Sequence, residues 1–96
     1  MADFEVRDHP SASRYEIVAD GQVAGFVTYR ANPGRLALIH TEVLPDFEGH
    51  GVGSRLAAGV LDDIRRRGLA VVPICPYIKA FIDRHPDYAD LVAGGG

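Results

Sequence analysis

Apolar and polar residues change period once along this 96-residue chain. Before Val43 they alternate or cluster in short runs separated by turn residues, and after Pro45 they recur at three- and four-residue steps. Residues 3–8 and 14–20 carry enough Phe, Val, Tyr and Ile for two strands, with His9-Pro10-Ser11-Ala12-Ser13 as the loop between them. Asp20-Gly21 is a two-residue hairpin signal, because such turns need positive φ. Asn32-Pro33-Gly34 marks the next turn, and Arg35–Val43 reads as a further strand, so the first 43 residues predict an antiparallel meander. Strict alternation in that last strand places Leu36, Leu38, His40 and Glu42 on one face and Ala37, Ile39, Thr41 and Val43 on the other.

Val52, Leu56, Val60, Leu61 and Ile64 then define one amphipathic helix, closed by cationic residues in its last turn and by Gly68 at a left-handed C′ position. Leu69–Ile74, bounded by that glycine and by Pro76, predicts a short buried strand. A strand, a helix and a strand in succession imply a crossover and hence a parallel pair. Pro76 suits the first position of a second helix, whose apolar face is Tyr77, Ile78, Phe81 and Ile82 and which His85-Pro86 stops. Asp87–Val92 reads as a short tail and residues 93–96 as a flexible end. The expected class is α+β with a mixed sheet, in a single domain over residues 1–92.

Composition narrows the function classes. The formal charge of −3 and pI near 5.7 oppose the basic footprint of nucleic-acid binders. The Arg65–Arg67 run follows Asp62 and Asp63 at helix-pairing spacing and reads as a solvated helix face. Cys75 is the only cysteine, so there is no intramolecular disulfide and no zinc-type ligand spacing, and no metal is expected. Asp3 and Glu5 stand where a secretory leader would be basic, and no run approaches the roughly 18 apolar residues of a membrane span, which makes the cytoplasm the default compartment.

Candidate chemistry concentrates in Val43-Leu44-Pro45-Asp46-Phe47-Glu48-Gly49-His50-Gly51-Val52-Gly53-Ser54-Arg55-Leu56, where a strand ends and a helix begins. Three glycines at alternate positions let the N–H groups of residues 49–54 converge at the helix start, which is a seat for an anion and above all for phosphate. The dinucleotide fingerprint does not fit, since it needs G-x-G-x-x-G within a parallel βαβ unit, and neither does the P-loop, which needs Lys and Ser or Thr after its last glycine. What remains is a pyrophosphate seat between antiparallel strands and a helix.

This segment resembles the acetyl-coenzyme A motif of the GNAT N-acetyltransferase superfamily, through Glu48-x-x-Gly51-x-Gly53 together with Val43 and Pro45. The element order is similar over most of the chain. The length, His40-Thr41-Glu42-Val43 and Cys75-Pro76-Tyr77 resemble more narrowly the minimal branch of about a hundred residues. The resemblance implies that the main chain at Val43 and Leu44 meets the pantetheine arm and acetyl carbonyl. It also implies that the amides of Gly49, His50, Gly51, Val52, Gly53 and Ser54 receive the pyrophosphate of acetyl-CoA. Glu48 stands where the family has Gln or Arg, which requires its carboxylate to point away from the diphosphate. Residues 8–14 leave no room for the helices that shape the acceptor pocket in larger members, so the acceptor side is expected to be open.

Aminolysis of a thioester needs a base for the amine proton and an acid or polarised pocket for the departing thiol. His40 and Glu42, just before the motif strand ends, are the candidate bases, against the alternatives of a structural histidine and a solvated glutamate. Cys75, at a helix start, is a candidate nucleophile for an acetyl-cysteine route, against a small buried residue. Tyr77 does not align with the family's usual proton-donating tyrosine, in whose place Arg84 stands, and is expected to pack. His9 and His85 flank prolines and read as turn and helix-end residues, while His50 offers its main chain. The function expected is acetyl transfer from acetyl-CoA to an amine on a small molecule or protein, directly or through Cys75. The competing reading is a coenzyme A-binding module with little catalysis, and a third is an interaction domain whose glycines only turn the chain. A homodimer is left open.

Overall fold

The computed structural model describes residues 3–93. Five strands run β1 (Phe4–His9), β2 (Arg14–Ala19), β3 (Gln22–Asn32), β4 (Arg35–Val43) and β5 (Ala70–Pro73), with helices α1 (Val52–Arg66) and α2 (Pro76–Arg84) after β4 and β5. The sheet order follows the chain, antiparallel from β1 to β4 and parallel between β4 and β5. The expected α+β class with a mixed sheet is what the chain forms. No helix among the described residues is long and apolar enough to cross a membrane.

The turns form where the residues permit them: Asp20 and Gly21 both take positive φ. α1 ends in a Schellman motif, with Gly68 N–H donating to Arg65 O at 3.0 Å and Leu69 N–H to Ile64 O at 3.1 Å. One apolar cluster joins Tyr15, Ile17, Val27 and Leu38 of the sheet to Leu56, Val60 and Ile64 of α1 and Ile78 and Phe81 of α2. Both helices therefore cover the same face of the sheet. Gly59 lets α1 approach β1 closely, since an alanine methyl there would lie 2.5 Å from Val6 Cγ2.

A polar network fixes the same face at its edge. Tyr15 donates to Asp63 and Tyr29 to Asp8, each at 2.6 Å, and Arg67 bridges Asp8 and Asp63 at 3.0 Å each. Burial and the aspartate partner push the Tyr15 hydroxyl well above its usual range, and the same causes push Tyr29 up to about 12.

Two expectations are corrected. A β-bulge shifts the register of β3 and β4, pairing Thr28 with His40 but Tyr29 with Leu38, so Ile39 is the extra residue. Beyond it Thr41 and Val43 point to the helices, while His40 and Glu42 point to the uncovered face, opposite to Leu36 and Leu38. The segment expected as a tail is also built into the fold. A 3-10 turn over Pro86–Leu91 buries Leu91, and Ala93 N–H donates to Val71 O at 2.8 Å. Arg65 grips Asp90 and the carbonyl of Asp87, and Tyr88 donates to Asp62 at 2.8 Å. Residues 94–96 of the expected flexible end lie outside the described residues.

Candidate functional site

β4 and β5 pair only from Arg35–Ala70 to Leu38–Pro73. The last link is Cys75 N–H to Leu38 O at 2.8 Å, after which β5 turns into α2 and β4 continues alone to Val43. The bulge at Ile39 and the start of α2 thus open a wedge in the sheet. At its helix-side end lies a cleft of about 240 Å³, lined by Val43, Phe47, Glu48, Gly49, Gly51, Val52, Gly53, Ser54 and Tyr77.

The glycines have separate physical duties. Gly49 and Gly51 sit at φ 83° and 70°, a region that L side chains rarely adopt, and their Cβ positions face open space. Gly53 has ordinary helical backbone but no room: an alanine methyl would lie 2.6 Å from Tyr77 Oη and 3.1 Å from Cζ. No side chain caps Gly51 at the start of α1, so the amides of Val52, Gly53 and Ser54 have no acceptor from a cap and stand at the positive end of the helix dipole. Backbone donors, a bare loop and an adjoining cleft fit a diphosphate. Glu48 lines the same cleft with an exposed side chain, so its carboxylate is an opposing charge there.

Of the expected coenzyme-contacting residues, Val43, Gly49, Gly51, Val52, Gly53 and Ser54 line the cleft, whereas Leu44 and His50 do not. Leu44 is already engaged: its N–H donates to Ala24 O at 2.8 Å and its carbonyl accepts from Phe47 at 2.9 Å. Phe47 and Tyr77 line the cleft without having been expected there. Tyr77, expected to pack, is 37% exposed, and the reason is its place in the first turn of α2, facing the helix start of α1 across Gly53. No motif in the sequence marks that contact, which only the approach of α2 to α1 creates.

The three candidate catalytic residues separate into two places. Cys75 is 4% exposed at the N-cap of α2, within the apolar cluster, and its Sγ lies 3.3 Å from Thr41 Oγ. His40 Nε2 and Glu42 Oε1 are 3.3 Å apart on the uncovered face, both more than half exposed. Arg14 stacks over Phe26 on that face at 4.5 Å, and the His40 ring lies 6.4 Å from it on the neighbouring strand. Because adjacent residues of a strand point to opposite faces, Thr41 delivers its hydroxyl to Cys75 while its neighbours His40 and Glu42 turn away. Among the described residues no group of three or more potential ligands could hold a metal ion.

Residues 14–91 match the family described as GCN5-related N-acetyl-transferase. The fold is similar to the solution structure of a GCN5-like protein from Staphylococcus aureus, with TM-score 0.70 and 23% identity over 98% of this chain and 92% of that one. It is similar also to the ribosomal-protein-S18-alanine N-acetyltransferase of Escherichia coli, with TM-score 0.59 and 17% identity over 74% of this chain and 64% of that one. A ribosomal-protein-alanine N-acetyltransferase from Brucella melitensis gives TM-score 0.54 and 21% identity, over 86% of this chain and 62% of that one. The chain thus spans less than two thirds of the length of those last two enzymes. No curated protein matches it.

Proposed function

Since the chain belongs to the GCN5-related N-acetyltransferase family, we propose that it binds acetyl-CoA in the cleft between β4 and α1 and transfers the acetyl group directly to an amine. The observation that carries this reading is the uncapped start of α1 behind two positive-φ glycines, opening on a cleft at the point where β4 and β5 part. When bound, acetyl-CoA supplies an acyl thioester. The amides of Val52, Gly53 and Ser54 hold the diphosphate, and Val43 lines the route from it toward the wedge.

The His40–Glu42 pair takes the proton that the attacking amine gives up. It stands on the face that no helix covers, so the amine approaches from that face and meets the thioester across the parted strands. Glu42 has His40 as its neighbour and no arginine within ion-pair distance among the described residues, so its charge is open to an approaching ammonium group. Direct transfer is preferred to an acetyl-cysteine route on position. Cys75 is buried in the apolar cluster with Thr41 as its polar neighbour, and the candidate bases project from the other side of the strand.

The test combines calorimetric titration with coenzyme A and thiol release from acetyl-CoA in the presence of a panel of amines. Saturable binding and amine-dependent release that survives Cys75→Ala are expected. Release lost in Cys75→Ala, with an acetyl group on Cys75 in the wild type, would transfer the reaction to the covalent route. Binding without release for any amine would leave a coenzyme A-binding module, the reading that the uncovered acceptor face favours. Absence of binding would refute the cleft assignment.

A further inference from the structure

The cleft at the start of α1 is lined by no lysine, arginine or histidine, and Glu48 brings a carboxylate to it instead. A diphosphate seated there is held by hydrogen bonds rather than by ion pairs with side chains, so each donor matters. Beside the amides of Val52, Gly53 and Ser54, the lining residues offer two side-chain donors, the hydroxyls of Ser54 and Tyr77. Ser54 belongs to α1 itself, whereas Tyr77 reaches the seat from α2.

The chain has four tyrosines, and three of them use their hydroxyls inside the fold. Tyr15 donates to Asp63, Tyr29 to Asp8 and Tyr88 to Asp62. The Tyr77 hydroxyl has no acceptor among the described residues, and the residue is 37% exposed. Its place is set from both helices. Ile78, Phe81 and Ile82 fix α2 to the core, and Gly53 leaves room for the phenol, since an added methyl would lie 2.6 Å from Oη. Cα–Cβ bonds tilt toward the N-terminus of a helix. A hydroxyl held over the Cβ position of Gly53 therefore stands on the N-terminal side of that residue, the side to which the free amides point. The aromatic ring would pack against Gly53 without its oxygen, so the hydroxyl is the part that the fold leaves unused.

We propose that Tyr77 is a side-chain ligand of the coenzyme's diphosphate, its Oη–H donating to a phosphate oxygen held by the α1 amides. The assignment rests on the coenzyme reading above. The bound diphosphate then bridges the two helices, from the start of α1 to the first turn of α2, and the phenol offsets part of the repulsion from Glu48.

The experiment is calorimetric titration of wild type, Tyr77→Phe and Tyr88→Phe with coenzyme A, and competition of inorganic pyrophosphate against coenzyme A on the same proteins, with urea midpoints measured on each. Tyr77→Phe keeps the ring and removes the donor. It should weaken coenzyme A binding about tenfold, as expected for a hydrogen bond to a charged group. Pyrophosphate, which carries the diphosphate and nothing else, should lose the same factor, and the urea midpoint of Tyr77→Phe should stay at the wild-type value. Tyr88→Phe, whose hydroxyl serves Asp62, should leave both affinities unchanged. Coenzyme A affinity in Tyr77→Phe within about twofold of wild type would overturn the proposal. So would a loss confined to coenzyme A with pyrophosphate unaffected, pyrophosphate that does not compete at all, or an equal loss in Tyr88→Phe. Each of those results leaves coenzyme A bound to the wild type and refutes this assignment alone, whereas a wild type that does not bind coenzyme A refutes the cleft reading with it.

Discussion

Gly59 offers a quantitative check on how α1 is seated over the sheet. An alanine methyl at that position would lie 2.5 Å from Cγ2, 2.8 Å from Cβ and 3.2 Å from Cγ1 of Val6, so the obstacle is a stiff β-branched side chain rather than a flexible tip. Helix propensity alone would make Gly59→Ala stabilising by about 0.8–1 kcal/mol. Overpacking costs about 1–3 kcal/mol, so the net expectation is a loss of up to about 2 kcal/mol. Val6→Ala, which trims a partly buried residue, should cost about 1 kcal/mol by itself. Together the two changes remove the contacts with Cγ2 and Cγ1 but leave the 2.8 Å approach to Cβ, so part of the propensity gain appears and the coupling is favourable by about 1–2 kcal/mol. Urea unfolding of the four proteins measures this through the midpoint, provided the slope stays constant. A Gly59→Ala protein more stable than wild type, or a cycle additive to within about 0.5 kcal/mol, would refute the close approach of α1 to β1.

Other expectations concern the cleft and the polar network. Gly51→Ala and Gly21→Ala should each cost about 1–2 kcal/mol through the left-handed backbone, but only the first should also weaken coenzyme A binding in a titration, because Gly21, in the β2–β3 turn, does not line the cleft. Gly53→Ala should force the Tyr77 phenol aside and alter coenzyme A affinity with little change in the urea midpoint, and Tyr77→Ala in the same protein should remove that clash. Glu48→Gln should tighten coenzyme A binding by about 1 kcal/mol, near fivefold, at low salt, with the gain shrinking as ionic strength rises. A Kd unchanged at low salt would mean that the carboxylate lies away from the anion. The Tyr29 hydroxyl, raised by burial and by Asp8 to about 12 from 10, favours its neutral form in the folded chain. Its contribution to stability is therefore complete below about pH 10 and lost as pH rises toward 12. Urea midpoints across that range should fall, and less steeply in Tyr29→Phe.

Local periodicity determined much of this protein. The meander, the amphipathic α1 ending at Gly68, the short β5 and the proline-led α2 all follow from side-chain spacing and turn residues, which act over a few neighbours. The glycine loop was legible for the same reason, since its three glycines and the helix start lie within six consecutive residues, 49–54. Tertiary structure decided which faces the chemistry occupies. Alternation places His40 and Glu42 with the core residues of β4, but Ile39 has no separate partner on β3, and that one extra residue reverses the faces for the rest of the strand. The pairing between strands sets that register, and the composition of β4 alone does not record it. The same holds for Tyr77 against Gly53, Thr41 against Cys75 and Arg65 against the C-terminal segment, contacts that arise only when α1, α2 and β4 meet across long stretches of chain. The sequence names the candidate groups, while packing decides that Cys75 enters the core and the His40–Glu42 pair faces solvent.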